Sequence, residues 1–298
     1  MWKLVSSFCN KSYFFKTSHT LKSTDVCYTY GGAETCDLGC FTNDYPFGNT
    51  PVRPLTRLPL SPDELDSEYL LDTKDYLGHK LDPRDENSIK NSHFNKNEDL
   101  MIAIHGWVDT SDPKASEDLG WIRNVTEHML RKNPEMNVIR VNWVKGSRNI
   151  DYAQSATDTQ VVASVLNCLI NKMYSVNGED IGTEFLNKIH CVGHSLGAQT
   201  CGYFGEYIEN SNGDKIGRIT GLDPAEPYFG YSPNEVCLEK TDAKFVDIIH
   251  SDASHFLSGT LREINQGMGI MENVGHIDFW PNNGTAQPGC DQSIMSTI

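Results

Sequence analysis

Five residues, Gly193-His194-Ser195-Leu196-Gly197, constrain this chain more than any others and fit the pattern G-x-S-x-G. The apolar residues Ile189, Cys191 and Val192 lead into them, and a helix-like stretch, residues 198–209, follows. A strand that turns at once into a helix brings two backbones close together. Glycine at both ends of the turn allows an approach that a Cβ would block. The serine at the apex then exposes its hydroxyl, beside the partial positive charge of the helix N-terminus. This is the pattern of a nucleophile elbow, and the flanking strand and helix signals are the context it requires.

The rest of the chain reads as strands alternating with helices. Leu100–Ile104 is an apolar run that ends at His105-Gly106-Trp107. Trp121, Ile122, Val125, Met129 and Leu130 have helical spacing, and residues 137–143 alternate as a strand. Val161, Val162, Val165, Leu166, Leu169, Ile170 and Met173 form one apolar helix face. Further strands are expected at 216–222, ending at Asp223, at 245–250 and at 275–280. Residues 41–62 are Pro-rich and loop-like, and 74–98 read as polar connections with short edge elements. The pattern predicts an α/β fold with a mostly parallel central sheet flanked by helices. Its chemistry belongs in the loops at the C-terminal strand ends.

Composition limits the partners. The chain has 298 residues, 38% of them hydrophobic, and a formal net charge of −15. That charge disfavours nucleic acid and strongly anionic surfaces, but leaves open a lipid interface reached through apolar contacts. No run of apolar residues is long enough for a membrane span. Residues 1–25 read as an atypical leader or N-terminal extension, interrupted by Lys3, Lys11 and Lys16. Residues 26–298 read as a single domain.

Nine cysteines are present: Cys9, Cys27, Cys36, Cys40, Cys168, Cys191, Cys201, Cys237 and Cys290. Cys27, Cys36 and Cys40 cluster in a Gly-rich stretch, which points to a local disulfide and an oxidising compartment. Cys168, Cys191 and Cys201 fall on apolar faces and read as buried thiols. N-x-[ST] sequons at Asn10, Asn124 and Asn283 fit secretion.

A serine hydroxyl is a weak nucleophile until a base takes its proton, and the base needs an orienting carboxylate. In the α/β arrangement the chain order is serine, acid, histidine. Asp223, at the end of a strand and followed by Pro224, is the best acid after Ser195. The backbone amides of Leu196 and Trp107 are the expected oxyanion donors, with Gly106 permitting close approach. His105 lies too early in the chain to be the base and reads as a hydrogen-bonded structural histidine.

Longer motifs extend these single residues. They are Val26-Cys27-Tyr28 with Leu38-Gly39-Cys40-Phe41, Arg53-Pro54-Leu55, Ile104-His105-Gly106-Trp107 and Gly193-His194-Ser195-Leu196-Gly197-Ala198. Ile216-Gly217-Arg218-Ile219-Thr220-Gly221-Leu222-Asp223-Pro224-Ala225-Glu226-Pro227 is the longest. Asp242-Ala243-Lys244-Phe245-Val246-Asp247 and Gly275-His276-Ile277-Asp278-Phe279-Trp280-Pro281-Asn282 complete the set. From about Cys27 to Cys290 the chain resembles the pancreatic-type triacylglycerol lipases, secreted α/β-hydrolases that cleave carboxylic esters of lipids at an interface.

The resemblance implies Ser195 as nucleophile, Asp223 as triad acid, and Trp107 and Leu196 as oxyanion donors. It implies no cofactor for catalysis. It also implies a structural calcium held by the carbonyls of Asn234 and Cys237 and the carboxylates of Glu239 and Asp242, where the family usually has aspartate at 239. Family members often close Cys27 with Cys40, but here Cys36 competes, so the pairing of these three stays open.

One departure stands out. The family's catalytic histidine lies in a Cys-x-His-x-Arg stretch beyond the cysteine that opens the lid, and no histidine follows Cys290. His250 and His276 match positions that are not catalytic in the family, and His255 lies in a longer loop, 254–272. The expectation is a chain truncated at the start of the lid, without the base and without the family's C-terminal β-sandwich domain. The full protein would hydrolyse triacylglycerol or phospholipid at an oil–water or membrane interface, and this chain alone would be inactive. A protein cofactor is expected only where the C-terminal domain is present. The alternative is a non-catalytic lipid-binding or storage protein.

Overall fold

The computed structural model describes residues 22, 24–32, 35–107, 120–253 and 267–289. Eight strands form the main sheet: β3 (Glu68–Asp72), β4 (His79–Leu81), β5 (Leu100–Ile104), β6 (Asn137–Asn142), β7 (Ile189–His194), β8 (Arg218–Leu222), β9 (Phe245–Ile249) and β10 (Ile277–Phe279). Their order is β10-β9-β8-β7-β5-β6-β3-β4. Only β3 runs antiparallel to its neighbours β4 and β6, and every other pairing is parallel. A separate antiparallel hairpin, β1 (Val26–Thr29) with β2 (Asp37–Phe41), lies outside this sheet.

Helices cover both faces. Right-handed crossovers place helices on opposite faces when the chain moves in opposite directions along a sheet. From β5 to β6 the chain passes through α3 (Gly120–Lys132), then reverses through α5 (Tyr152–Ser175) to β7 and continues through α7 (Leu196–Asn212) to β8. Accordingly Met101, Val138 and Val192 meet Val125, Met129 and Leu130 of α3. Leu100, Ile102, Ile104, Ile139 and Cys191 meet the residues of α5 and α7. A parallel strand buried on both sides needs no polar alternation, which is why residues 100–104 read as a continuous apolar run. Four short helices fill connections: α1 (Pro62–Leu65), α2 (Glu86–Lys90), α4 (Val144–Ser147) and α6 (Thr183–Leu186). Among the described residues no helix is long and apolar enough to cross a membrane.

The disulfides correct the cysteine reading. Cys27 bonds Cys40, its register partner across the β1–β2 hairpin. Cys36 bonds Cys168 of α5, and Cys191 of β7 bonds Cys201 of α7. So Cys168, Cys191 and Cys201 are not thiols. Their apolar faces are real, but each face meets a second cysteine at a Cα separation of 5.8 Å, within the usual range for a disulfide. Cys237 is a buried free thiol, and Cys9 and Cys290 lie outside the described residues.

Candidate active site

The chain reverses direction between β5 and β7, and their C-terminal ends form a topological switch point. Ser195 follows β7 there, with φ 53° and ψ −118°, a strained backbone for a residue with a Cβ. Its amide donates to the Leu222 carbonyl at 3.0 Å, and its carbonyl accepts from Ala198 at 3.0 Å. A Cβ on Gly193 would fall 2.2 Å from the Gly197 carbonyl oxygen, and one on Gly197 would fall 2.2 Å from the Ile104 carbonyl oxygen. Both glycines are therefore obligatory where β7, α7 and β5 converge. Leu196 is the first residue of α7, so its amide has no acceptor within the helix. The Cys191–Cys201 bond ties strand to helix across the turn.

The end of β5 rests on this serine. A Cβ on Gly106 would lie 2.8 Å from Ser195 Cβ. The next residue, Trp107, is anchored through its indole, which donates to the Asn149 carbonyl at 2.9 Å. Its ring meets Tyr152 edge-on at 5.2 Å, and Tyr152 in turn leans on Tyr228 at 6.1 Å. His105 is buried and structural, as expected. Its Nε2 accepts from the Trp143 amide at 3.1 Å, which leaves the Nδ1 proton for the Gly106 carbonyl at 2.9 Å.

Asp223 follows β8 as Ser195 follows β7. The β7–β8 register pairs His194 with Leu222, so the two side chains emerge one residue beyond paired positions on neighbouring strands. The Asp223 amide donates to Ile249 at 2.7 Å, and its Oδ1 accepts from the amides of Ser251 (2.9 Å) and Asp252 (3.0 Å). Burial pushes the Asp223 carboxyl up, against those two hydrogen bonds and the nearby charge of His194. Asp252 is pushed up to about 6 by burial and by Asp223. The sequence reading passed over Asp252, although it lies just beyond the end of β9, on the edge where chemistry collects.

Four described histidines are committed elsewhere. His105 belongs to the β5 end. His250 contacts Ile270 through Nδ1 and Asp278 through Nε2, each at 2.9 Å, and stacks on Trp280 at 3.6 Å. His276 Nδ1 accepts from the Val246 amide at 3.0 Å. His190 Nε2 meets Thr220 at 2.8 Å, and burial lowers it to about 4. His194 lies edge-on to Trp121. His255 falls outside the described residues.

Residues 33–298 match the family model described as Lipase. The chain belongs to the Lipase family. Over 270 residues it is 40% identical to pancreatic triacylglycerol lipase of Mus musculus, covering 90% of this chain and 53% of that protein. It is 36% identical to pancreatic lipase-related protein 2 of Rattus norvegicus, covering 91% of this chain and 54% of that one. It is 37% identical to pancreatic triacylglycerol lipase of Homo sapiens, covering 90% and 53%. The chain spans about half the length of the curated relatives it matches.

In this Lipase-family chain the four candidate calcium ligands lie apart from the serine, in the loop that returns from Asp223 to β9. Asp242 is buried, and its Oδ2 accepts from the Glu239 amide at 2.9 Å. A Cβ on Gly202 of α7 would come within 3.0 Å of that same oxygen, so the helix leaves it clearance. Gln199 pins the loop, accepting from the Leu238 amide and donating to the Ala225 carbonyl, both at 2.8 Å. Among the described residues no group of three or more His, Cys, Asp or Glu side chains could hold a metal ion. A set of two carboxylates and two backbone carbonyls lies outside that description, and its hard oxygens suit calcium. Sequence reasoning missed Gln199 because a glutamine on a helix carries no signal until its neighbours are known.

Proposed function

We propose that this chain carries the nucleophilic half of a lipid carboxylic-ester hydrolase. The observation that supports this best is the strained Ser195 backbone seated against Gly106 at the switch point. Ser195 Oγ attacks the ester carbonyl carbon, and the Leu196 and Trp107 amides stabilise the oxyanion that forms. An imidazole takes the serine proton and passes it to the departing alcohol, and Asp223 orients that imidazole. Water then releases the fatty acid from the acyl-enzyme. The imidazole is assigned to a residue outside the described ones, and His105, His190, His250 and His276 hold other partners. The substrates are triacylglycerols or phospholipids at an oil–water or membrane interface, and the compartment is extracellular, in line with the disulfides.

A fluorophosphonate probe tests this. Rapid labelling of Ser195 in a chain extended beyond residue 298, with labelling about 10⁶-fold slower in the 298-residue chain, supports an external base. Equal labelling of both would place the base within the 298 residues. No labelling of either would leave a non-catalytic lipid-binding protein, the second reading, which the committed histidines favour.

Calcium has a structural part in this proposal. The Asn234 and Cys237 carbonyls and the Glu239 and Asp242 carboxylates would hold it, and it would supply positive charge to the buried Asp242 carboxylate. Through Gln199 and Ala225 it would steady the segment just after Asp223.

A further inference from the structure

Two sequons fall among the described residues, and they are not equivalent. On α3, Asn124 is exposed, but Thr126 is only 3% exposed and its hydroxyl oxygen is buried without a hydrogen-bond partner among the described residues. In the turn after β10, Asn283 and Thr285 are both exposed. Asn282 and Asn283 take left-handed backbone, φ 49° and 63°, which asparagine tolerates better than most residues. That accounts for the asparagines but not for the threonine, whose side chain makes no hydrogen bond among the described residues.

The turn is braced from behind. Gly284 has φ 75°, and a Cβ there would lie 2.3 Å from Trp280. Its carbonyl accepts from the Ala253 amide at 2.8 Å. The Gln287 side chain donates to Ser251 at 2.8 Å and to Pro281 at 3.0 Å, and accepts from Asn282 at 2.7 Å. The Asn283 side chain, which takes part in none of these bonds, is presented to solvent on a fixed backbone.

We propose that Asn283 is an N-glycan acceptor. The co-reactant is a polyprenyl-diphosphate-linked oligosaccharide. The Asn283 amide nitrogen forms a bond to the anomeric carbon of its first sugar, the bond from that carbon to the diphosphate oxygen breaks, and the amide proton leaves with the lipid diphosphate. The proposal rests on the extracellular reading above.

The position gives the glycan a task. Among the described residues β10 is the edge strand of the sheet, and Ile277 and Phe279 on it are 46% and 50% exposed. An uncovered sheet edge with apolar side chains invites pairing with another chain. A hydrated oligosaccharide four residues beyond Phe279 would obstruct that approach.

The test directs the full chain into the secretory pathway of cultured eukaryotic cells with a cleavable leader. The product is digested with a glycan-releasing amidase in ¹⁸O water and mapped by mass spectrometry. Conversion of Asn283 to labelled aspartate is expected. Asn283→Gln and Thr285→Ala should abolish that label and raise light scattering about twofold or more, with unchanged far-UV circular dichroism. Thr285→Ser should keep both the label and the low scattering. A bare Asn283 on a chain with its three disulfides formed would overturn the proposal and leave the extracellular reading intact. Failure of the disulfides to form would count against both.

Discussion

Between Gly106 and Ser195 there is no space for a methyl group. The nearest atoms to a Cβ at 106 would be Ser195 Cβ at 2.8 Å and the His194 carbonyl oxygen at 3.1 Å, both on the turn that carries the proposed nucleophile. Gly106→Ala must therefore move either the β5 end or the elbow. Displacement of a reacting group by about 1 Å can cost on the order of 10²-fold in rate. In the extended chain used for the labelling test above, we expect Gly106→Ala to slow fluorophosphonate labelling of Ser195 by about that factor while the far-UV circular dichroism stays unchanged. Labelling at the parent rate would show that the β5 end takes no part in presenting the serine.

The long helix α5 carries a carboxylate that the fold treats poorly. Asp158 is fully buried, and its Oδ1 accepts from the Leu60 amide and the Gln154 side chain, each at 2.8 Å. Its Oδ2 is buried with no partner among the described residues, and burial pushes the group up to about 7. The folded form thus keeps a proton that the unfolded form loses near pH 4. The stability this lends is complete below about pH 4 and is lost as pH rises toward 7. Asp158→Asn should gain on the parent across that window, by up to about 4 kcal/mol, and run parallel to it above pH 8. Urea titrations at pH 4, 6 and 8 would measure the difference, and a constant offset at all three would refute the assignment. Elements differ in how plainly the sequence announces them. The central parallel strands and the elbow are legible because burial on two faces and close approach to glycine restrict which residues fit. The strand β3 and the β1–β2 hairpin are not. Glu68 and Asp72 make β3 look polar, yet Asp72 is buried in an ion pair with Arg140 of β6. Likewise, Arg53 carries a full charge yet is buried against Phe229 and Tyr228. A cysteine on an apolar face reads the same whether it is a thiol or half of a disulfide.

At the scale of the whole molecule, the net charge of −15 decides which lipid surfaces can be approached. Repulsion from an anionic bilayer acts over about 10 Å at 0.1 M salt and shrinks to about 3 Å at 1 M. Flotation with uncharged or zwitterionic vesicles should vary little with salt, whereas binding to anionic vesicles should rise as salt is added. The opposite trend would locate a cationic patch that the overall charge conceals. The Cys36–Cys168 bond has a mechanical consequence of its own. It closes a covalent ring of backbone that contains Gly106 and Trp107 and leaves Ser195 outside. A protease that cuts that ring once opens a loop without severing the molecule. The two pieces would migrate together on a denaturing gel until a reductant is added.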